Sequence, residues 1–250
     1  MAKGVPGADS SAPVTSDLIK SATDIIGQAP KFWGRYFTSP STTGSVEYHH
    51  AKEDQPLAEA GIRVLPIARQ TAHVAGTKNR GVADAKRNVD DILATFPLDH
   101  LVKLGGQFLM FLDVEGLPQT GSPSLSLEFY TGWGQTLVDH SRSQTNNAVT
   151  ILPGVYARRA DTVTWNNLVK AVANGIPCAG AWVARFRIPK NCKLTDFDPA
   201  FVLPKVQLPF KVLLTQYAGN CGLIDCNQTN PDINAQNEFL NKLILPPSGS

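Results

Sequence analysis

The sequence predicts an α/β fold, a modified (β/α)8 barrel of TIM type with an irregular second half. Three observations carry this prediction. Short apolar, β-prone runs alternate with stretches of helical periodicity along the chain, eight such runs occur, and the run at 108–112 is hydrophobic at every position. Alternating strands and helices are typical of βαβ units in a parallel sheet, and a strand without polar positions is typical of burial on both faces.

The length and composition are consistent with one such domain. The chain has 250 residues, and single barrels of this kind have about 250. Hydrophobic residues make up 42% and charged residues 18%, which is typical of a folded globular chain and not of a disordered one. We therefore expect one barrel over residues 1–245, followed by a disordered tail over 246–250.

Each predicted strand is a short run rich in apolar, β-branched or aromatic residues. They are expected over 5–9, 31–37, 63–68, 108–115, 149–156, 179–186, 211–217 and 223–227. A doubly wound open sheet is the alternative. No Gly-x-Gly-x-x-Gly turn follows the first strand and the chain contains no Walker-type phosphate loop, which favours the barrel.

The predicted helices have apolar residues three and four positions apart. The first has them at 18, 19, 22, 25 and 26, and Thr15 or Ser16 can cap it. The others are expected over 47–60, 77–95, 124–141, 164–174 and 233–243. Residues 187–209 contain four prolines and no helical pattern, so we expect an irregular loop between the sixth and seventh strands.

The charge and hydropathy patterns exclude several classes of function. A formal net charge of +2 gives no global basic field, so nucleic acid is not an expected partner. No apolar run approaches the ~18 residues of a membrane-spanning helix. The first residues have no hydrophobic core of the Sec type, so no such signal peptide is expected.

Neither a metal nor a cofactor is expected from the cysteines and histidines. The histidines show no ligand spacing, and no two matching Cys-x-x-Cys pairs occur. All four cysteines, Cys178, Cys192, Cys221 and Cys226, lie in the last third of the chain. Four reduced thiols and two disulfides, with three pairings, are both open at this point. Disulfides would indicate an oxidising compartment.

Polar residues end most of the predicted strands. Active sites of such barrels lie at the carboxyl ends of the strands, so these residues are the candidates for chemistry. The four acidic candidates are Asp9, Asp113, Glu115 and Asp225. The other candidates are Arg35, Tyr36, Arg69, Gln70, Tyr156, Trp182, Arg185, Gln216, Tyr217 and Asn227.

Asp113 and Glu115 are the strongest of these candidates. Residues two apart in a strand point to the same face, roughly 6.5–7 Å apart. Two such carboxylates disfavour each other's ionisation, so one can act as a general acid and the other as a base, nucleophile or charge stabiliser, as glycoside hydrolysis requires. The alternative is a helix cap at Asp113 and a solvated Glu115. Arg35, inside an apolar strand, needs a carboxylate partner, and we expect Asp9 in this role, kept ionised by the pairing.

Five motifs, in order, resemble those of the family 25 glycoside hydrolase lysozymes, and the resemblance runs from about residue 5 to 228. The motifs are Gly7-Ala8-Asp9-Ser10-Ser11, Phe111-Leu112-Asp113-Val114-Glu115, Trp182-Val183-Ala184-Arg185, Leu214-Thr215-Gln216-Tyr217 and Ile224-Asp225-Cys226-Asn227. Segments 32–37 and 60–67 are closer to a sister group, a glycoside-hydrolase-like domain of unknown function in secreted actinobacterial and other bacterial proteins. Thr215 stands where the lysozymes have a tryptophan, which removes a sugar-stacking surface.

The resemblance implies a lysozyme-like muramidase that hydrolyses the glycan strand of peptidoglycan. Glu115 takes the place of the general acid, and Asp113, Asp9 and Asp225 match the supporting acidic positions. These would stabilise an oxocarbenium-like transition state or orient an N-acetyl group. The expected substrate-binding residues are Arg35, Tyr36, Gln70, Tyr156, Trp182, Gln216, Tyr217 and Asn227.

Two other functions remain open: a non-catalytic barrel that binds cell-wall glycan, and a hydrolase of another polysaccharide. A metabolic enzyme acting on phosphorylated compounds is disfavoured, because no glycine-rich phosphate loop follows the late strands. A wall substrate predicts action outside the cytoplasm, in the periplasm or cell wall. The lack of a signal peptide in this sequence fits signal-independent export, as for an injected toxin or effector, a phage-type lysin, or a sequence that lacks its leader, and these alternatives stay open. An injected toxin would require a cognate immunity protein.

Overall fold

Eight strands form a closed barrel in sequence order, as predicted. The computed structural model describes residues 2–37, 47–116, 121–232 and 236–248. The strands are β1 (Pro6–Asp9), β2 (Phe32–Phe37), β3 (Arg63–Ala68), β4 (Gln107–Val114), β5 (Thr150–Arg158), β6 (Gly180–Ala184), β7 (Val212–Cys221) and β8 (Ile224–Thr229).

Helices surround the barrel, and each predicted helix has a counterpart. They are α1 (Ser16–Ile26), α2 (His50–Glu59), α3 (Lys78–Thr95), α4 (Leu98–Lys103), α5 (Leu127–Gln144), α6 (Thr162–Ala173), α7 (Pro199–Val202) and α8 (Gln236–Asn241). Two short helices, α4 and α7, were not predicted. The four-residue α7 is the one regular element between β6 and β7, so this crossover is largely irregular, as expected. Residues 233–235 of the predicted last helix, and 249–250 of the predicted tail, lie outside the described residues.

The last strand corrects the expectation of a parallel sheet throughout. β8 is antiparallel to both β7 and β1. β7 continues to Cys221, and only Gly222 and Leu223 separate it from β8. Two residues are enough for a hairpin but too few for a parallel crossover, and Gly222 adopts a φ of +70° in this turn. The start of β8 therefore lies at the same end of the barrel as the carboxyl ends of the other strands.

The alternation of side chains along the strands separates two cores. Residues that point outward pack against the helices, while residues that point inward fill the barrel. The inward core includes Phe32, Leu65, Ile67, Leu109, Phe111, Tyr156, Trp182 and Leu214, and reaches Phe239 and Leu243 of the C-terminal segment. The chain leaving α8 is bonded to the amino end of the barrel: Val64 and Ile244 exchange two backbone hydrogen bonds of 2.7 and 3.0 Å. One end of the barrel is thus closed and the other is available for a site.

One disulfide joins Cys192 in the irregular crossover to Cys221 at the end of β7. Cys178 and Cys226 are free thiols, so one bridge is present where two, or none, were considered. No helix among the described residues has the length and apolarity needed to cross a membrane.

Candidate active site

A cavity of about 270 Å³ opens at the carboxyl end of the barrel strands. All four predicted carboxylates line it, together with four of the eight predicted binding residues. Its lining is Asp9, Tyr36, Ile67, Asp113, Glu115, Tyr156, Trp182, Gln216 and Asp225. Ile67 was not predicted, because an apolar side chain at a strand end gives no chemical signal. A groove of about 600 Å³ adjoins the cavity through Asp9, Tyr36 and Asp225.

The antiparallel course of β8 brings Asp225 to this cavity. Asp225 is the second residue of β8 and is paired in register with Asp9, the last residue of β1. In a parallel β8 the start of the strand would lie at the opposite end of the barrel. The hairpin between β7 and β8 therefore completes the acidic cluster.

Strand alternation decides which of the other predicted residues face the cavity. Tyr36 and Gln216 point inward and line it, so their neighbours Arg35 and Tyr217 point to the outside of the barrel wall. The Tyr217 hydroxyl donates to the Cys192 carbonyl oxygen at 3.3 Å. Gln70 is fully buried beyond the end of β3 and does not line the cavity.

Arg35 forms a buried ion pair with Glu53 of α2, which corrects the expected pairing with Asp9. Its Nε and Nη2 donate to the two oxygens of Glu53 at 2.7 and 2.9 Å, and both side chains are fully buried. Glu53 also accepts the backbone amides of Val14 and His49. Arg35 thus joins the helix layer to the barrel and is not placed to contact a ligand in the cavity.

Two side-chain amides hold the carboxylates Asp9 and Asp225. Nε2 of Gln216 donates to Asp9 Oδ2 at 3.0 Å and to Asp225 Oδ2 at 3.1 Å. Asn227 lies beneath the cavity, where its Nδ2 donates to Asp9 Oδ2 at 2.6 Å. Both amides therefore present hydrogen-bond donors to acidic groups.

Neighbouring aromatic residues fix the orientation of these amides. The Tyr156 hydroxyl donates to Gln216 Oε1 at 2.8 Å, and Trp182 Nε1 donates to Asn227 Oδ1 at 3.0 Å. With each amide oxygen occupied by a donor, the amide nitrogen must face the carboxylates. Tyr156 and Trp182, whose ring centroids are 4.8 Å apart, therefore act both as cavity walls and as supports for the acidic cluster.

Asp9 is an acid of unusually high pKa. Burial, followed by the nearby charge of Asp225, raises the pKa of Asp9 to about 7, although the amides of Asn227 and Gln216 act in the opposite direction. The expectation that an arginine keeps Asp9 ionised is therefore wrong. Arg35 is bonded to Glu53 instead, and no cation makes an ion pair with Asp9 among the described residues.

Asp113 lies deeper in the same cavity, and its pKa is also raised. Burial is the main cause, and the charges of Glu115 and Asp9 add to it, while Arg69 and Arg158 oppose it. Its Oδ1 is buried without a hydrogen-bond partner in the part of the chain that the structure describes. Asp113 thus retains a proton at pH values at which an ordinary aspartic acid is ionised.

Asp225 is affected in the same direction. Burial raises the pKa of Asp225, and the backbone amide of Asn220 and the charge of Lys190 oppose the shift. The Asn220 amide donates to Asp225 Oδ1 at 2.6 Å. Asn220 was not predicted, since its contact is made by the backbone and no side-chain pattern reports it.

Glu115 is the exposed member of the cluster. It follows the last residue of β4 and lies at the rim of the cavity, whereas Asp113 is only 3% exposed. One member of the Asp-x-Glu pair is therefore accessible from the open side, and the other lies at depth. Asp113 can therefore hold a proton below a molecule bound in the cavity, while Glu115 presents its carboxyl group to that molecule at the rim.

Within the described part of the chain, no group of side chains in the acidic cavity meets the geometry of a metal site. Among the described residues, the group of three ligand atoms close enough to share an ion is Cys192, Cys221 and Cys226. The first two of these are joined in the disulfide.

No protein-family model and no curated protein sequence matches the chain. Solved structures do match over nearly its whole length. An uncharacterized protein from B. stearothermophilus has a TM-score of 0.68 and 21% identity, with 96% of this chain and 100% of that chain covered. A muramidase from Acremonium alcalophilum has a TM-score of 0.54 and 17% identity, with 95% and 99% covered.

A family 25 glycosyl hydrolase from Bacillus anthracis is similar to the same degree, with a TM-score of 0.53, 12% identity, and 96% of this chain and 93% of that chain covered. The chain has the fold of the family 25 muramidases. This confirms, at the level of the fold, the resemblance drawn from the motifs. Sequence identities this low support the fold alone and not an activity.

Proposed function

We propose that the protein hydrolyses the glycan strand of peptidoglycan, as a lysozyme-like muramidase. The observation that carries this proposal is the convergence of four carboxylates on one open cavity. Within the described residues, none of the four forms an ion pair with a cation. A fold gains no stability from burying several uncompensated acids, so their presence is best explained by chemistry.

Glu115 is the general acid in this proposal. It is the accessible member of the Asp-x-Glu pair, so it can reach the oxygen of a glycosidic bond that lies across the rim. Protonation of that oxygen lets the leaving sugar depart as an alcohol. Asp113, beneath Glu115, supplies a protonated carboxyl group at depth, which can donate a hydrogen bond to the bound sugar or pass a proton towards the rim.

Asp9 and Asp225 support the transition state. Positive charge develops on the sugar ring as the bond breaks, and carboxylates held in place by Gln216 and Asn227 stabilise it without rearranging. Asp9 is most effective above its pKa of about 7, whereas an acid must be protonated. Activity is therefore expected to depend on pH on both sides of an optimum.

Tyr36, Tyr156 and Trp182 supply the surfaces against which a sugar ring can pack. Burial raises the pKa values of both tyrosines, so their hydroxyls remain neutral. The Tyr156 hydroxyl donates to Gln216, which leaves the Tyr36 hydroxyl to donate to a bound sugar. The substrate assignment draws on the muramidase of the same fold from Acremonium alcalophilum. A peptidoglycan substrate would place the protein's action outside the cytoplasm.

The experiment that tests the proposal is the release of muropeptides from purified peptidoglycan, followed by chromatography and mass spectrometry. The wild type, Glu115→Gln and a matched control, Glu128→Gln on the exposed side of α5, are compared. We expect the wild type and the control to release disaccharide-peptides with new reducing ends. Glu115→Gln should lose roughly 10²- to 10⁴-fold of this rate, the usual contribution of a general acid.

Two results would contradict the proposal. Equal rates for Glu115→Gln and the wild type would remove Glu115 from the chemistry. Sedimentation of all three proteins with the peptidoglycan, without release of any fragment, would identify a barrel that binds wall glycan and does not cut it.

A further inference from the structure

A second cavity lies beside the acidic one and is basic. It has a volume of about 650 Å³, and its walls come from the carboxyl ends of β5 and β6 and the residues that follow them. The lining residues are Arg158, Arg159, Ala160, Ala184, Arg185 and Phe186, which we call the arginine pocket. Part of this volume is open to solvent, and the space that a ligand can occupy, about 320 Å³, is at the lower end of the range for small-molecule sites.

Strand register places the arginine pocket one layer above the acidic cavity. Arg158 comes two residues after Tyr156 on β5, and Ala184 comes two residues after Trp182 on β6. The two strands pair Tyr156 with Trp182, and Arg158 with Ala184. Side chains two apart share a face of a strand, so the pocket continues the wall that lines the acidic cavity.

Phe186 connects the two cavities from the other side. Its ring packs against Gly219, on the side of that residue which also faces Asp225. A Cβ atom built on Gly219 would lie 3.0 Å from Phe186 Cζ and 3.6 Å from Asp225 Oδ1. The ring is 38% exposed, and Arg158 lies over it at 6.0 Å. An exposed aromatic face between an acidic and a basic pocket is suited to packing against one sugar ring.

Two of the three guanidinium groups are held by neutral hydrogen-bond acceptors, whereas that of Arg158 lies over the Phe186 ring. Nε of Arg159 donates to the Leu203 carbonyl oxygen at 2.7 Å. Arg185 donates to the Phe201 carbonyl oxygen and lies 3.9 Å from the centroid of that ring. In the described parts of the chain, no ion pair to a carboxylate is found for Arg158, Arg159 or Arg185.

Crowded positive charge is unfavourable unless a ligand compensates it, and in the described structure Asp113 offsets only part of the charge of Arg158. Burial is the main cause that lowers the pKa of Arg159, and the neighbouring Arg185 acts in the same direction. Carbonyl oxygens and ring faces orient the arginines but leave their charge available. Arginines fixed in this way lose little freedom when they bind a planar anion.

We propose that the arginine pocket is a subsite for an anionic group on the glycan, bound next to the sugar whose glycosidic bond faces Glu115. The inference rests on the proposed hydrolase function and adds to it a requirement for charge on the substrate. The chemistry that fits is a carboxylate or phosphate oxygen pair, which a guanidinium binds through two hydrogen bonds. A neutral glycan would leave the pocket uncompensated.

Binding to soluble glycan strands tests this subsite independently of cleavage. All proteins carry Glu115→Gln, and the dissociation constant is measured for native strands and for strands whose carboxyl groups have been converted to amides. Arg158→Gln is the informative variant, since no hydrogen bond to the rest of the chain is lost with it in the described structure. Lys86→Gln, on the exposed face of α3, removes the same charge far from the pocket.

We expect the parent and Lys86→Gln to bind native strands about tenfold more tightly than amidated ones, the strength of one charge-assisted contact. Arg158→Gln should bind both forms with the weaker affinity, and Arg158→Lys should recover part of the preference. The same measurement is repeated with strands from which phosphate has been removed and with strands from which peptide has been removed. The preference for native over amidated strands is lost only when the recognised anionic group has been removed, which identifies its source.

The subsite and the hydrolase proposal can fail separately. Suppose that the wild type releases reducing ends, but that Arg158→Gln prefers native over amidated strands as strongly as Lys86→Gln does. The subsite proposal is then wrong, and the hydrolase proposal is supported. If no glycan is cleaved but the Arg158-dependent preference is present, the pocket binds anionic glycan and the hydrolase is wrong. Equal binding of native and amidated strands by the parent also overturns the subsite.

Discussion

Acidic side chains are buried in two regions of this barrel, and their surroundings differ. One region lies outside the barrel wall, and the other is the acidic cavity at the carboxyl end of the strands, which we call the mouth. Outside the barrel wall, Glu53 receives two hydrogen bonds from Arg35 and two from backbone amides. Inside the mouth, Asp9 and Asp225 share one amide group of Gln216, and Asp113 Oδ1 has no hydrogen-bond partner among the described residues. The first arrangement compensates charge and serves the fold, while the second leaves it uncompensated and costs stability.

The comparison teaches that burial of an acid does not by itself indicate a function. What distinguishes the mouth is that, among the described residues, no cation forms an ion pair with its carboxylates, and that the pKa values of Asp9 and Asp113 are raised, a combination typical of functional sites. The two regions should therefore respond differently when an acid is neutralised: the Glu53 region should lose stability, and the mouth should gain it.

Breaking the compensated pair should have the largest effect on stability. Glu53→Gln leaves the charge of Arg35 buried without its partner, and we expect a loss of about 3–5 kcal/mol in the free energy of unfolding. The double variant Arg35→Met with Glu53→Gln should lose less than the single one, since no unpaired charge remains and the glutamine oxygen can still accept a backbone amide. Urea unfolding of the three proteins measures this, and a loss below about 1 kcal/mol for Glu53→Gln would remove the contrast.

The uncompensated cluster should make the stability depend on pH. The unfolded chain releases the Asp9 proton near its ordinary pKa of 3.8, and the folded chain holds it to about 7. Between these values the folded state binds more protons, so the free energy of unfolding decreases as the pH rises. Asp9 accounts for at most about 4 kcal/mol of this decrease.

Urea midpoints from pH 4 to pH 8 measure this effect. Asp9→Asn removes the titrating group, so its profile should be flatter than that of the wild type by the Asp9 contribution. Parallel profiles for the two proteins would show that Asp9 has an ordinary pKa in the folded state.

The smallest expected effect is on the supports of the cluster. Tyr156→Phe removes the hydroxyl that holds Gln216 in place, and we expect a loss of about 1 kcal/mol in stability with a roughly tenfold lower rate of glycan hydrolysis, since Asp9 and Asp225 lose a fixed donor. Tyr217→Phe is the matched control, because it removes a comparable bond outside the barrel. Equal rates of glycan hydrolysis for the two variants would show that the Tyr156 hydroxyl does not contribute to the site.

Most of the fold could be predicted from the sequence, because burial on both faces and helical periodicity are local patterns. The direction of β8 is not local. An apolar strand has the same pattern in either direction, and the informative sign is the short connection between the two predicted strands, since residues 218–222 are too few for a parallel crossover. The helix α4, only six residues long, is too short for periodicity to stand out.

The sequence predicts the carboxylates of the site but not their partners. The pairs Arg35–Tyr36 and Gln216–Tyr217 each place adjacent residues on one strand, so only one member of each pair can face the cavity. Applying that rule would have excluded one residue of each pair from the site. The pairing of Arg35 with Glu53 depends on how α2 packs against β2, which no short sequence pattern contains.

In the proposed function, the carboxylates of the mouth are retained for chemistry at a cost in stability. The most direct test measures the free energy of unfolding at pH 8 and the rate of muropeptide release on the same preparation of Asp9→Asn. We expect Asp9→Asn to be more stable than the wild type by up to about 4 kcal/mol. We also expect it to hydrolyse glycan roughly 10²-fold more slowly. A variant that is more stable and equally active, or one that is less stable, would contradict this account.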